Sequence, residues 1–174
     1  MGDMTFWITQ GLGFIGLVFI ILSFQGKTRT QILKKQMFST IFFTVHFAML
    51  GAFTGATMNI VAGVRNFVFE KKDKKRWASS PWWVVVFILF AGVLLSLSWQ
   101  GLISLLPFFG IVVGTYARWR DNPFLIRIFS LVGSGLWFVY SIVMVSYPGI
   151  VTEVFVMSSI LMGIWQVDMK KEKL

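Results

Sequence analysis

Glu153 is the residue whose type and setting most call for chemistry. It is the only acidic side chain inside a long apolar run. A carboxylate at membrane depth is costly and marks a functional group by default. It can bind a cation, titrate for proton coupling or hold a polar solute. The plainer reading is a carboxylate reaching up to interfacial water, since it lies roughly 6 Å into its run by helical rise. Asn59 sits at similar depth in an earlier run and offers donors and an acceptor without charge. It reads as a solute contact or as an interhelical hydrogen bond. His46, the one histidine, lies near the middle of its run. It is a proton-coupling candidate beside Glu153, or a neutral packing histidine. Asn59, Gly63 and Asn66 fall on one helical face, a polar stripe along a pathway. Arg65 points away from that stripe. Its side chain is expected to snorkel to the cytoplasmic headgroups or make a structural pair, as a cytoplasmic-side charge, with an inner gate or an anion contact as the alternatives. Gly110 and Gly114, and Gly51 and Gly55, show the small-xxx-small spacing of close helix approach. Pro107 frees a backbone carbonyl and reads as a hinge beside Gly110 and Gly114.

The elements carrying these groups follow from composition. Of 174 residues 56% are apolar, only 13% are charged, and Phe occurs 19 times. Mean hydropathy is +0.76. Soluble domains are about 45–50% apolar and about 25% charged, so this chain takes lipid as its solvent. In lipid only helices and closed barrels satisfy the backbone. The apolar runs are continuous and do not alternate, which rejects a barrel. Seven spans are expected, at 5–24, 37–54, 56–70, 81–99, 101–118, 124–144 and 149–167. The net charge of +9 does not indicate nucleic acid, because the cations cluster in short connections. Lys27, Arg29, Lys34 and Lys35 follow the first span. Lys71, Lys72, Lys74, Lys75 and Arg76 follow the third. Arg118, Arg120 and Arg127 surround the fifth connection, and Lys170, Lys171 and Lys173 form the tail. The opposite connections, at Gly55-Ala56, Gln100-Gly101 and Ser146-Tyr147-Pro148, hold no Lys or Arg. Only seven spans put the cations on one side, which makes the chain N-out and C-in. The Met1-Gly2-Asp3-Met4 start lacks Lys and Arg, so the first run reads as a span and not as a cleavable signal.

An odd count allows three helices, a linker and three more. Phe14-Ile15-Gly16 matches Phe108-Phe109-Gly110. Phe38-Ser39 and Phe47 match Phe129-Ser130 and Phe138, 91 positions on. Asn59 then falls near Thr152 and Glu153 once a gap of one or two residues is allowed. The expected organisation is a single membrane domain over 1–174. Its first triplet is 5–70, its linker helix 81–99 and its second triplet 101–167. Both triplets run outside to inside, as parallel repeats do. There are no cysteines, and a lone histidine makes a metal site improbable. No phosphate loop, paired intramembrane Asp or Ser/His arrangement is readable, so neither enzyme nor cofactor is expected.

The stretch Gln25–Gln36, then His46-Phe47, Leu50-Gly51, Asn59 and Arg65, together with Leu105-Leu-Pro-Phe-Phe-Gly110 and a single Glu in the last span, resembles the YgjV-type bacterial inner-membrane proteins. The resemblance covers most of the chain. It implies a multi-pass protein of the bacterial inner (plasma) membrane with a periplasmic N-terminus. It also implies a distant likeness to SWEET sugar facilitators, PQ-loop proteins and PnuC-type vitamin transporters, built as three helices, a linker and three. In SWEET-like proteins polar residues on the third and seventh spans line a central site, a role that Asn59 and Glu153 can inherit here, with Asn66 nearby. The Pro-Gln pair of that pattern is missing, and Glu153 stands where a second Asn is expected. A neutral sugar is therefore disfavoured, and a carboxylate favours a cationic or proton-coupled solute. The expected function is a small-solute transporter or facilitator. The alternatives are a non-transporting scaffold, sensor or complex subunit, or a channel. Lipid and a small solute are the expected partners, nucleic acid is not, and a homo-oligomer is left open.

Overall fold

In the computed structural model, residues 2–25, 29–120 and 122–165 are described; the tail lysines and Lys27 lie outside them. Among the described residues the fold is all-helical. The helices are α1 (Asp3–Phe24), α2 (Arg29–Met49), α3 (Phe53–Glu70), α4 (Trp82–Leu97), α5 (Leu105–Trp119), α6 (Pro123–Val143) and α7 (Tyr147–Gly163). Short 3-10 turns sit at Arg76–Ser79 and Leu102–Ser104. Helices α1, α5 and α6 are long and apolar enough to cross a membrane, the α5 span counted with its 3-10 turn. Helices α4 and α7 are shorter apolar helices. Large apolar side chains stand exposed along the bundle, among them Leu89, Val93 and Leu97 on α4. Such a surface suits lipid, where exposed apolar groups carry no solvent penalty.

Two boundaries differ from the sequence expectation. Helix α2 starts at Arg29, well before residue 37, and stops at Met49. The stop is local: Gly51 adopts φ 74°, a left-handed conformation that glycine enters without a Cβ clash. The connection to α3 is therefore at 50–52, and Gly55-Ala56 lies inside α3. Gly51 and Gly55 consequently do not share a helix face. The starts of α6 and α7 carry side-chain caps. Asn122 accepts from the N–H groups of Phe124 and Leu125, and Ser146 accepts from that of Gly149. A proline follows each within the first turn, where its missing donor costs nothing.

The packing is a ring. Helix α1 lies along α2 and α2 along α3, while α5 lies along α6 and α6 along α7. Contacts of α3 with α5 and of α7 with α1 close the ring, and α4 lies outside against α3 and α5. Several contacts recur at a spacing of 94 positions, not the 91 read for α2 and α6 from sequence. Gly51 and Val145 (φ 53°) both turn the chain through positive φ. A Cβ on Gly16 would meet the Phe43 ring, and one on Gly110 would meet the Trp137 ring. Two glutamines clamp the two turns in the same way. The side-chain amide of Gln10 donates to the Val145 carbonyl (3.0 Å) and its Oε1 accepts from the Tyr147 N–H (3.1 Å). The amide of Gln100 donates to the Gly51 carbonyl (2.6 Å) and its Oε1 accepts from the Thr54 N–H (3.3 Å). Each clamp runs from one half of the chain to the other.

Candidate functional site

Inside the ring is a cavity of about 180 Å³. Helices α3, α5, α6 and α7 each lend it one stripe at helical spacing. Helix α3 presents Asn59, Ala62, Arg65 and Asn66; α5 presents Gly110, Gly114 and Arg118; α6 presents Ser130, Ser134, Trp137 and Ser141; α7 presents Gly149, Thr152, Glu153 and Val156. Helix α2 adds Ser39, Thr40 and Phe43 among others, and α1 adds Ile20. Among the described residues α4 contributes none.

Asn59, Asn66 and Glu153, expected at a binding site, line this one cavity. Glu153 stands six residues past Tyr147, about 9 Å down α7 by helical rise, deeper than its apolar run implied. Its Oε2 accepts from Ser134 Oγ at 2.5 Å, tying α7 to α6. Asn59 Nδ2 donates back to the Gly55 carbonyl at 3.0 Å. Gly63 leaves the stripe: a Cβ there would sit 2.7 Å from Thr40 Oγ1, so Gly63 is where α3 presses on α2.

Arg65 does not snorkel. It is 2% exposed, and its guanidinium turns inward. Nη1 donates to Thr115 Oγ1 on α5 at 3.1 Å, and Nη2 donates to Asn66 Oδ1 at 3.2 Å. Arg118, counted from sequence only as a loop cation, lines the same space, with Nη1 donating to the Gly114 carbonyl at 3.2 Å. A Cβ on Gly114 would lie 3.1 Å from Nη1 of Arg118 and 3.7 Å from Nη1 of Arg65. The two guanidiniums thus converge on one glycine. The signal that could have found Arg118 is its spacing: Gly110, Gly114 and Arg118 repeat every four residues on one face of α5.

His46 is not in the cavity. It is fully buried between α1, α2 and α7. Its Nδ1 meets the Thr9 carbonyl at 2.7 Å and its Nε2 meets Ser146 Oγ at 2.7 Å. A carbonyl only accepts, so Nδ1 carries the proton. Ser146 Oγ then donates to Nε2 while accepting from the Gly149 N–H at 3.1 Å. A neutral ring satisfies every partner. His46 therefore acts as a clamp, and the structure does not join it to Glu153. Tyr140 makes the equivalent tie on the other side, its hydroxyl accepting from the Gly55 N–H at 2.9 Å.

Pro107 is not mid-helix. The chain enters α5 through the 3-10 turn, and Pro107 falls in the first turn of the helix. A missing N–H there removes little, so the ring imposes no kink. Gly110 faces Trp137, and a Cβ on Gly133 would lie 3.5 Å from the Gly110 carbonyl and 4.0 Å from the Gly114 nitrogen. These glycines let α5 and α6 approach closely.

Two hydroxyls add to the site: Ser141, which the sequence reading did not name, and Thr152, which it named only as a repeat position. Ser141 Oγ is buried, lines the cavity and has no hydrogen-bond partner; Thr152 Oγ1 is in the same position. Buried hydroxyls are normally bonded, so an orphaned pair in a cavity wall marks space for a polar occupant. Among the described residues no group of three His, Cys, Asp or Glu could hold a metal.

The model of a protein family described as a bacterial inner membrane protein, Imp-YgjV, matches residues 7–171. The chain belongs to the Imp-YgjV family. Inner membrane protein YgjV of Escherichia coli (strain K12) is 22% identical to it over 136 residues, covering 78% of this chain and 71% of that protein. No solved structure matches. Membership in the Imp-YgjV family places the apolar bundle in the bacterial inner membrane.

Proposed function

We propose that the chain is a small-solute transporter or facilitator whose solute enters the cavity between two three-helix units. One observation carries this reading. A cavity holding ionised and orphaned polar groups lies where α1–α3 meet α5–α7, and ionised groups inside a membrane bundle belong to solute or ion paths. The recurrence at 94 positions, which also relates Asn59 to Glu153, supports two equivalent units with α4 as linker. It supports the SWEET-like arrangement in the same way. The turns at 50–52, 98–101 and 144–146 share one end of the ring with the N-terminus. The cations of 71–76 and Arg120 lie at the other end, which supports N-out insertion. Rocking of the two units about the cavity would expose it to each side in turn.

The cysteine-free background makes the test direct. Ala62, on the cavity wall, is replaced by Cys and labelled with a membrane-impermeant thiol reagent from each face of sealed vesicles. Alternating access requires labelling from both faces, with lipid-facing Val64→Cys as the unreactive control. Labelling from one face alone, or from neither, refutes transport and leaves a scaffold or sensor.

A further inference from the structure

We infer that the occupant of the cavity is a small organic monoanion, a carboxylate, held at its charged end by Arg65 and Arg118. This rests on the transport reading and specifies its substrate class. Glu153 alone points to a cation, and the fold reverses that sign. Two guanidiniums and one carboxylate line the space, and arginine stays charged in proteins. The lining therefore carries a net positive charge in a water-poor setting, where an uncompensated charge is expensive. The hydrogen bonds of Arg65 go to neutral groups, Thr115 and Asn66. Among the described residues the only acidic side chain in the lining is Glu153; it accepts a hydrogen bond from Ser134 and interacts electrostatically with Arg118, so Arg65 is the lining charge held by neutral groups alone. Both guanidiniums approach Gly114, where the absence of a side chain leaves room between them. A carboxylate matches the planar donor forks presented there. One negative charge brings the lining to neutrality.

The rest of the solute must be short and polar. A cavity of about 150 Å³ takes benzene, so about 180 Å³ takes an acid of comparable or slightly larger size. The orphaned hydroxyls of Ser141 and Thr152 offer hydrogen bonds to hydroxyl or carbonyl groups on such an acid. Hydroxy- and keto-acids fit this description; simple fatty acids leave both hydroxyls unmet.

The test is thermal unfolding of the purified full chain in detergent. Sodium lactate, gluconate and acetate are compared with sodium chloride and sodium phosphate at equal ionic strength, and with choline chloride and glucose. Lactate or gluconate should raise the unfolding midpoint above chloride, with acetate weaker. Glu153→Gln should preserve or strengthen that response, because it makes the lining more positive. Arg118→Gln should weaken the apparent affinity at least about tenfold, the loss of one charge-assisted hydrogen-bonded contact. Should Arg118→Gln not fold, Gly114→Ala serves instead: its methyl crowds both guanidiniums while leaving the charge in place, and the response should fall. Stabilisation by choline or glucose that vanishes in Glu153→Gln would overturn the inference, as would a response to no carboxylate or an equal response in the arginine variant. None of these outcomes touches the two-sided labelling of Ala62→Cys, so the transport reading stands or falls separately.

Discussion

Replacing Gln10 by leucine probes whether the two halves of the ring move. Gln10 is 1% exposed and makes two bonds across the ring, to the Val145 carbonyl and from the Tyr147 N–H. Leucine keeps much of the volume and makes neither bond. A net hydrogen bond is worth about 0.5–1.5 kcal/mol, and about 0.6 kcal/mol on average between membrane helices. The pair therefore contributes about 1–3 kcal/mol. If the two units part at this end when the cavity opens toward it, the bonds exist in only one of the two states. Their loss then shifts the equilibrium by about 5- to 150-fold toward the open form. The assay is the initial labelling rate of Ala62→Cys from the N-terminal face, with and without Gln10→Leu. The rate should rise from that face and fall from the other. Gln100 makes the matching clamp but stands exposed, where water competes for its bonds, so Gln100→Leu should shift the rates in the same direction by less. A lowered unfolding midpoint with unchanged labelling from both faces would refute the reasoning, because the clamp would then hold a static scaffold. So would a larger effect at Gln100.

Other consequences are independent of the solute. Val145 holds φ 53° with its side chain 47% exposed, so Val145→Asn should relieve about 1 kcal/mol of left-handed strain and raise the thermal midpoint; Gly51→Val, the matching change in reverse, should lower it. Gly110→Ala puts a methyl 2.7 Å from Trp137 Nε1 and should destabilise by about 1–3 kcal/mol through overpacking, read as a lower midpoint in the same melt. His46→Ala removes two buried hydrogen bonds and should cost at least about 1–3 kcal/mol. In the milder His46→Gln variant the dependence of Ala62→Cys labelling between about pH 5 and 8 should match that of the parent. A lost pH response would return His46 to the role of proton carrier.

The element count was readable because lipid leaves few options: long apolar runs must be helices, and connections must hold the charges. What was not readable lay at a finer grain. The end of α2 depended on the left-handed turn at Gly51, which no hydropathy window senses. The spacing of α2 to α6 was misjudged because aromatic matches such as Phe47 with Phe138 are cheap in a chain with 19 phenylalanines. The match of Gly16 with Gly110, read from the first and fifth spans, already had the spacing of 94 that their contacts with ring side chains repeat. Gln10 escaped notice although it is a polar residue in an apolar run, the same signal that picked out Glu153. It sits close enough to the first residues of α1 to pass for an interfacial group, and only the partner turn at Val145 reveals its work.

The sign of the site was hidden for a related reason. Sequence distinguishes a charge inside a run from a charge at its edge, and it assigns the edge charge to topology. Arg118 sits at a run edge and Arg65 in the inner part of its run, so Arg118 was read as a cytoplasmic marker and Arg65 first as a snorkelling or paired charge, both obeying the rule for positive charge. A long side chain at a run edge, however, can turn either way. Snorkelling outward needs only water and headgroups, whereas turning inward needs polar partners inside the bundle. Here the partners exist: Thr115 is one helix away for Arg65, and the Gly114 carbonyl is one turn back for Arg118. Gly114 supplies the space that lets both guanidiniums share a wall. The same two residues can therefore satisfy the topology rule and still charge the interior, and a cavity judged from Glu153 alone is assigned the opposite sign. Edge arginines facing a small residue on a neighbouring helix are thus the feature that decides whether such a bundle attracts cations or anions.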